Sequence, residues 1–376
     1  MKKCTFLLSL VLLALVFVGY AVAAGGDAGD PLISLDFLNG AFRKQAEETL
    51  DEAIAKADAK ALDEAKARWN AAVAKAEAAV GADYAAALTE ARVKQGDLLS
   101  GLTGLQVIPL AGELTASFSS GAVVDVTDGT ELPSGGTLKA NHRYLVAEDT
   151  TALFTCASKT AVMSYCGSYS FRSSESPDYN AMAGALKSLS LFRGTGSGIG
   201  SGYELEKIPT RIEALIMLIR MLGEESAALS CTAAHPFADV PEWCAPYVAY
   251  AYEKGYSNGV GTDGLGHAYF GTQLESSALQ YTEFMLRALG HSSTATTDIS
   301  DALDRAVSAG VLTAGERTAL QSTAFLRADV AYLSYYALSA RTSGGTALSQ
   351  RLIDAGVFTA ADHRAAQAMV ATARLA

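Results

Sequence analysis

PTRIEALIMLIRMLG, residues 209–223, decides how this chain is read. Pro209 fits the first turn of a helix, where its missing N–H costs nothing. Thr210 is a strong N-cap residue, and Glu213, three positions on, completes a capping box. Ile212, Leu215, Ile216, Leu218, Ile219 and Leu222 line a broad apolar face, and Gly223 ends it. The spacing predicts one capped, buried helix. Alone, that carries no function.

The stretch recurs, however. MLRALG at 285–290 repeats LIRMLG at 218–223, 67 positions later, and EKGYSNG at 253–259 answers SLSLFRG at 188–194, 65 positions later. LRADVAYLSYYALSA at 326–340 sets Arg327 and Asp329 where Arg211 and Glu213 stand. RAVSAGVLTAGER at 305–317 is echoed by RLIDAGVFTAADH at 351–363, 46 positions on. Paired helices at such periods predict units that stack to share a core. Gly255, Gly310 and Gly356 each follow a predicted helix, where a left-handed residue is wanted.

These residues resemble the S-layer homology (SLH) domain of bacterial surface proteins. TRIEALIMLIRMLG is similar to that family's TRAE-type helix. HPFADVPEWCAPYVAYAYEKGYSNGV at 235–260 is similar to the opening half of a repeat, with F-x-D-V, then Trp-x-Ala, then a helix ending in a Gly turn. The resemblance covers about 178–345. It implies a pseudo-trimeric helical unit that binds secondary cell-wall polymer and fixes an exported protein to the surface. The second repeat departs from the pattern, with Ser277-Ala278-Leu279-Gln280 where the motif should stand, and the third keeps only Arg327 and Asp329.

Upstream, Met1–Lys3, the apolar run Phe6–Val18 and Ala21-Val22-Ala23 read as a cleavable secretory signal peptide. Cys4 precedes the apolar run, which argues against a lipoprotein. No second run of about 18 apolar residues follows, so no membrane span is expected in the mature chain. Asp27–Pro31 reads as a linker. From about Leu35 to Val93 the chain is Ala-, Glu-, Lys- and Gln-rich, and predicts a helical spacer or hairpin without strict heptads. From Val93 to Phe171, short Val/Leu/Thr/Tyr runs broken by Gly turns predict a small antiparallel barrel or sandwich. Ser173–Pro177 leads into the array. The glycine run 194–202, GTGSGIGSG, lacks the strand and lysine of a phosphate loop and reads as a connection between two helices.

The net charge of −11 without a basic stripe excludes a general nucleic-acid binder. No catalytic residues, metal ligands or cofactor are expected: there is no GxSxG, no HExxH and no CxxC, and the five histidines are scattered. Cys156 with Cys166, and Cys231 with Cys244, are spaced either as two local disulfides of an exported protein or as free buried thiols. Trp243 is expected in the core beside Phe237 and Tyr247. Arg211, with Thr210 and Glu213, and Arg327, with Asp329, are the candidate polymer-binding residues. A guanidinium at a helix N-terminus suits an acidic, for instance pyruvylated, glycan; the alternative is that Glu213 only caps and Arg211 pairs with a nearby acid.

The expected architecture is multidomain α+β: signal peptide 1–23, helical spacer 24–92, β-domain 93–172, SLH-like repeats 173–232, 233–291 and 292–345, and a helical tail 346–376. The expected role is non-enzymatic attachment to the bacterial cell wall or surface layer, with wall polysaccharide, itself or other surface-layer proteins as partners. The alternatives are an adhesin whose β-domain is the receptor and, less favoured, a wall-modifying hydrolase.

Overall fold

The computed structural model describes residues 38–376 except 81–82, 197–201, 263, 294 and 296–297, and for 38 and 74–80 the backbone alone. The expected signal peptide and the Asp27–Pro31 linker lie outside the described residues. The chain divides into two compact units, Met1–Val73 and Ala74–Ala376.

In the first unit a π-helical turn, Leu38–Phe42, runs into α1, Arg43–Val80, which continues past the division. Every side chain from Arg43 to Ala72 is exposed. Alanine, glutamate and lysine favour helix without burial, and pairs such as Arg43–Glu47 run along its surface. The helical expectation for 24–92 needs one correction. Tyr84–Lys94 is strand β1, not helix. Its YAAALTEARVK sequence has ordinary helical propensity, but a ladder with a long neighbouring strand outweighs that small local preference.

Nine more strands follow: β2 (Leu98–Leu102), β3 (Gln106–Ala111), β4 (Leu114–Ser117), β5 (Val123–Asp125), β6 (Thr130–Leu132), β7 (Gly136–Thr137), β8 (Tyr144–Val146), β9 (Thr151–Cys156) and β10 (Thr160–Arg172). All pair antiparallel, in the order β6-β5-β8-β3-β10-β2-β9-β4-β7, with β1 also on β10. β10 joins the two halves of the sheet. Met163–Cys166 pairs with β3, and Tyr169–Arg172 pairs with β2. The changeover falls at Gly167, with φ 117°, where a Cβ would lie 3.0 Å from Leu105 Cα; only glycine is at ease there. Alternating residues such as Leu99, Val107, Leu114, Val123, Tyr144 and Phe154 form a separate core beneath.

The remainder is helical: α2 (Tyr179–Ser188), α3 (Arg211–Met221), α4 (Glu225–Leu229), α5 (Ala245–Glu253), α6 (Ala278–Ala288), α7 (Ala302–Ser308), α8 (Ala314–Ser322), α9 (Arg327–Ala337), α10 (Leu348–Asp354) and α11 (Ala360–Ala368). A two-stranded ribbon, β11 (Gly261–Thr262) with β12 (Ala268–Tyr269), separates α5 from α6. One continuous core runs from Tyr179 to Ala366. The molecule is thus of mixed α+β class, with an antiparallel sheet ahead of a helical array.

Contacts recur within the array. The Arg211 and Ile212 N–H groups donate to Leu274 O and Thr272 O, and those of Arg327 and Ala328 to Lys207 O and Leu205 O. Each acceptor in the first pair stands 67 positions after its counterpart in the second. Thr313 with Glu316 caps α8, and Thr359 with Asp362 caps α11, by the same box at the 46-residue offset. Gly255, Gly310 and Gly356 adopt φ of 72°, 68° and 73°, so each ends its helix in the left-handed region.

Candidate functional site

The site grows from the first turn of α3. Thr210 Oγ1 accepts the Glu213 N–H, and Glu213 Oε2 accepts the Thr210 N–H at 2.8 Å. The box fixes the helix start and thereby aims Arg211, the first helical residue, across to the next unit. Arg211 is 4% exposed. Its Nε donates to Phe270 O at 2.9 Å, and Nη2 donates to Ser257 Oγ at 3.2 Å and Gly259 O at 3.3 Å. The guanidinium also lies over the Phe270 and Phe284 rings, 5.2 and 4.6 Å from their centroids. It makes no ion pair among the described residues. Burial lowers its pKa to about 10; Arg287 adds to the fall and Asp239 opposes it.

The acceptors are themselves held. Asp239 takes the N–H groups of Phe270, Gly271 and Thr272 at 2.7, 2.8 and 3.0 Å. Burial works against its ionisation, but those three donors outweigh it and keep the carboxyl below the usual range. Gly259 has φ 84°, and a Cβ there would meet Tyr269 O at 2.3 Å. No other residue can place that carbonyl against Arg211 without moving β12.

Arg211 forms one wall of a cleft of about 460 Å³, with Gly259, Val260, Gln280, Glu283 and Arg287 among the others. Glu283 is buried and committed: Oε1 pairs with Arg287 Nε at 2.7 Å and accepts Ser292 Oγ at 2.6 Å, and Oε2 pairs with Arg305 Nη2 at 2.8 Å. Arg287 and Arg305 thus share Glu283, and Arg211 is the lining guanidinium that has only neutral acceptors, so it brings a positive charge to the cleft. A second hollow, about 670 Å³ between Pro236, Tyr252 and Lys254, is shallow and converges on no such group.

Arg327 repeats the Arg211 arrangement, with Nε donating to Tyr203 O at 3.2 Å, and Tyr203 stands 67 positions before Phe270. Burial lowers its pKa too, but Glu213 and Glu204 oppose the fall and Arg220 adds to it. Asp329 is buried and held by Lys159 Nζ at 2.8 and 2.7 Å, while its Oδ2 accepts the Leu326 N–H. Burial raises its carboxyl; the Lys159 ammonium and the N–H oppose that rise.

The expected site residues therefore do not converge. Arg211 is a buried bridge from the start of α3 to the Ser257–Phe270 segment rather than a fork presented at a helix end. Thr210 and Glu213 are spent on the cap, and Glu213 acts electrostatically at the Arg327 corner. Gln280, Glu283 and Arg287 are the residues the sequence reading missed. Arg287 had a signal: it stands 67 positions after Arg220, inside the repeated LIRMLG and MLRALG strings.

One further expectation is corrected, and the open alternative for the cysteines falls to free thiols. Trp243 is 60% exposed, whereas Phe237 and Tyr247 are buried; the 3₁₀ turn Glu242–Cys244 gives the inward position to Cys244. All four described cysteines are free thiols. Cys156 ends β9 and Cys166 sits mid-β10, with β2 between those strands, well beyond the 7 Å that a disulfide spans. Cys231 Sγ lies against Glu253 at one end of α5 and Cys244 precedes its other end, about nine residues and ~13 Å away along the axis. In the β-domain, Asp125, Asp128 and His142 approach within 4.8 Å of one another. Thr127 and Asp128 N–H groups, and Lys139, already engage these carboxylates, so they brace a turn. Among the described residues no helix is long and apolar enough to cross a membrane.

No protein-family model matches this chain, and no curated protein matches it. Among solved structures, procruciferin, an 11S globulin from Brassica napus, aligns over 26% of this chain and 26% of its own length, at 9% identity and a TM-score of 0.15. That likeness is too slight to carry a fold argument, and this chain spans about a quarter of the globulin.

Proposed function

We propose that this is an exported, non-catalytic surface protein that attaches to the bacterial cell wall by gripping an acidic wall glycan in the Arg211 cleft. The reading rests on the resemblance of its helical array to SLH repeats. The observation that carries it is the charge of Arg211, which spends its donors on neutral acceptors and makes no ion pair among the described residues. A glycan carboxylate would bring the opposite charge to the Arg211 guanidinium.

The test is a substitution that leaves the buried arginine alone. Gln280 caps α6 with Ser277, and glutamate caps equally well. Gln280→Glu therefore keeps the helix and adds a negative charge to the cleft. Sedimentation of the full chain with purified wall sacculi should weaken about tenfold, equivalent to ~1.4 kcal/mol. Undiminished sedimentation would remove the cleft from the attachment and leave the β-domain as the surface that binds.

A further inference from the structure

Three helix starts in the array share one plan, and the third differs in a way that is filled from elsewhere in the chain. At the first corner the N1 residue is Arg211, and Gln280, third residue of α6, lines the same cleft. At the second, Arg327 is N1, and Glu213, third residue of α3, acts on it. At the third, α6 supplies only Ala278 at N1, and the third residue of the neighbouring α9 is Asp329. The two helices meet there: Tyr281, one turn into α6, donates or accepts with Ser334 at 2.8 Å and packs its ring 5.8 Å from that of Phe325. An acid thus stands in a corner without an arginine.

Lys159, at the β9–β10 turn, reaches this corner. Its Nζ donates to both Asp329 oxygens and to Ala324 O at 3.1 Å, three acceptors for its three protons. The lysine side chain is 14% exposed and the aspartate 7%. Neighbouring residues hold the turn in place: Thr160 Oγ1 donates to Glu206 Oε1 at 2.6 Å, and Arg92 of β1 lies 4.5 Å over the Tyr203 ring. Three contacts from separate β-domain positions make this a seated insertion, unlike a chance surface pair.

We infer that the third corner is a receptor for a primary ammonium, which the chain occupies with its own Lys159. The β-domain is thereby locked to the array, and this corner is closed to outside ligands. The inference stands whether or not the array binds wall glycan, because its tests use no glycan.

Lys159→Ala removes the ammonium and leaves Asp329 buried without its partner, a strongly destabilising change for a buried pair. In the full chain, hydrogen exchange at Thr160 and Leu326 should accelerate at least about tenfold, while Ile216–Met221 of α3 stays unchanged. Ethylammonium chloride should restore most of that protection, and sodium chloride at equal ionic strength should not. Unchanged exchange, or acceleration that ethylammonium fails to reverse, overturns the receptor. Should Lys159→Ala not fold, Asp329→Asn gives the complementary reading, since the amide oxygen still caps α9. Acylation of Lys159, slow in the parent relative to exposed Lys139 and Lys207, should then rise at least about tenfold. An unaltered rate would show that Asp329 does not hold the amine.

Discussion

Arg211 and Arg327 begin their helices alike, are both buried, and both donate to a carbonyl from the unit they meet, yet their surroundings differ in sign. Arg211 looks across at Arg287 and Gln280; Arg327 is faced by Glu213 and Glu204. The shared part is architectural, a guanidinium pinning one unit to another's backbone. The variable part is the third residue of the adjacent helix, which caps that helix and at the same time sets the charge of its neighbour's corner. A capping residue chosen from Glu, Gln or Asp is nearly neutral for the helix and far from neutral for the corner.

The comparison can be broken most forcefully at the arginines. Arg211→Ala strands two buried carbonyls and Ser257, and should lower stability by about 3–4 kcal/mol in chemical denaturation. Arg327→Ala strands one backbone carbonyl, Tyr203 O, and should cost about 2 kcal/mol. Equal losses would mean that the hydrogen bonds do not distinguish the corners.

Next comes Asp239, whose three backbone donors hold the Phe270 carbonyl in place. Asp239→Ala should cost about 2–3 kcal/mol. Its folded pKa lies below the unfolded value near 3.9, so its contribution is present above that pH and fades as pH falls through the folded pKa. The parent should therefore lose stability below about pH 4 more steeply than Asp239→Ala. Parallel acid titrations of the two would contradict this.

The gentlest change is Glu213→Gln, which keeps the capping box and removes one acid from the Arg327 corner. Stability should move by less than about 0.5 kcal/mol, while sedimentation with wall sacculi should strengthen by about twofold to tenfold. No gain would mean that the corner is closed for a reason other than charge.

Much of the array was legible because its determinants are local. The Thr210–Glu213 box, the left-handed Gly255, Gly310 and Gly356, and the repeated helix ends all follow from neighbours a few residues apart. What was not legible depends on partners far along the chain. The burial of Arg211 needs carbonyls of Gly259 and Phe270, roughly fifty to sixty positions away, and the cleft needs Glu283, Arg287 and Arg305 to gather from two helices. β1 was missed for the same reason: an alanine-rich run becomes a strand only once β10 lies beside it. The cysteine spacing leaves disulfide and free thiol both open because short separation in sequence does not show that another strand lies between β9 and β10.

The positions of the two tryptophans govern how the protein can be watched. Trp69 on α1 is 72% exposed and Trp243 60%, so neither indole reports on the packed interior. Both are already largely in water when the chain is folded, and unfolding changes their surroundings little. Indole fluorescence would therefore be a poor gauge of denaturation here, and the buried tyrosines, Tyr144 and Tyr281 among them, would report it through near-ultraviolet circular dichroism instead. The same exposure is an advantage in titrations. A change in indole emission on adding a sugar or a partner would signal direct contact near Trp243 or Trp69, with little contribution from any loss of folded structure.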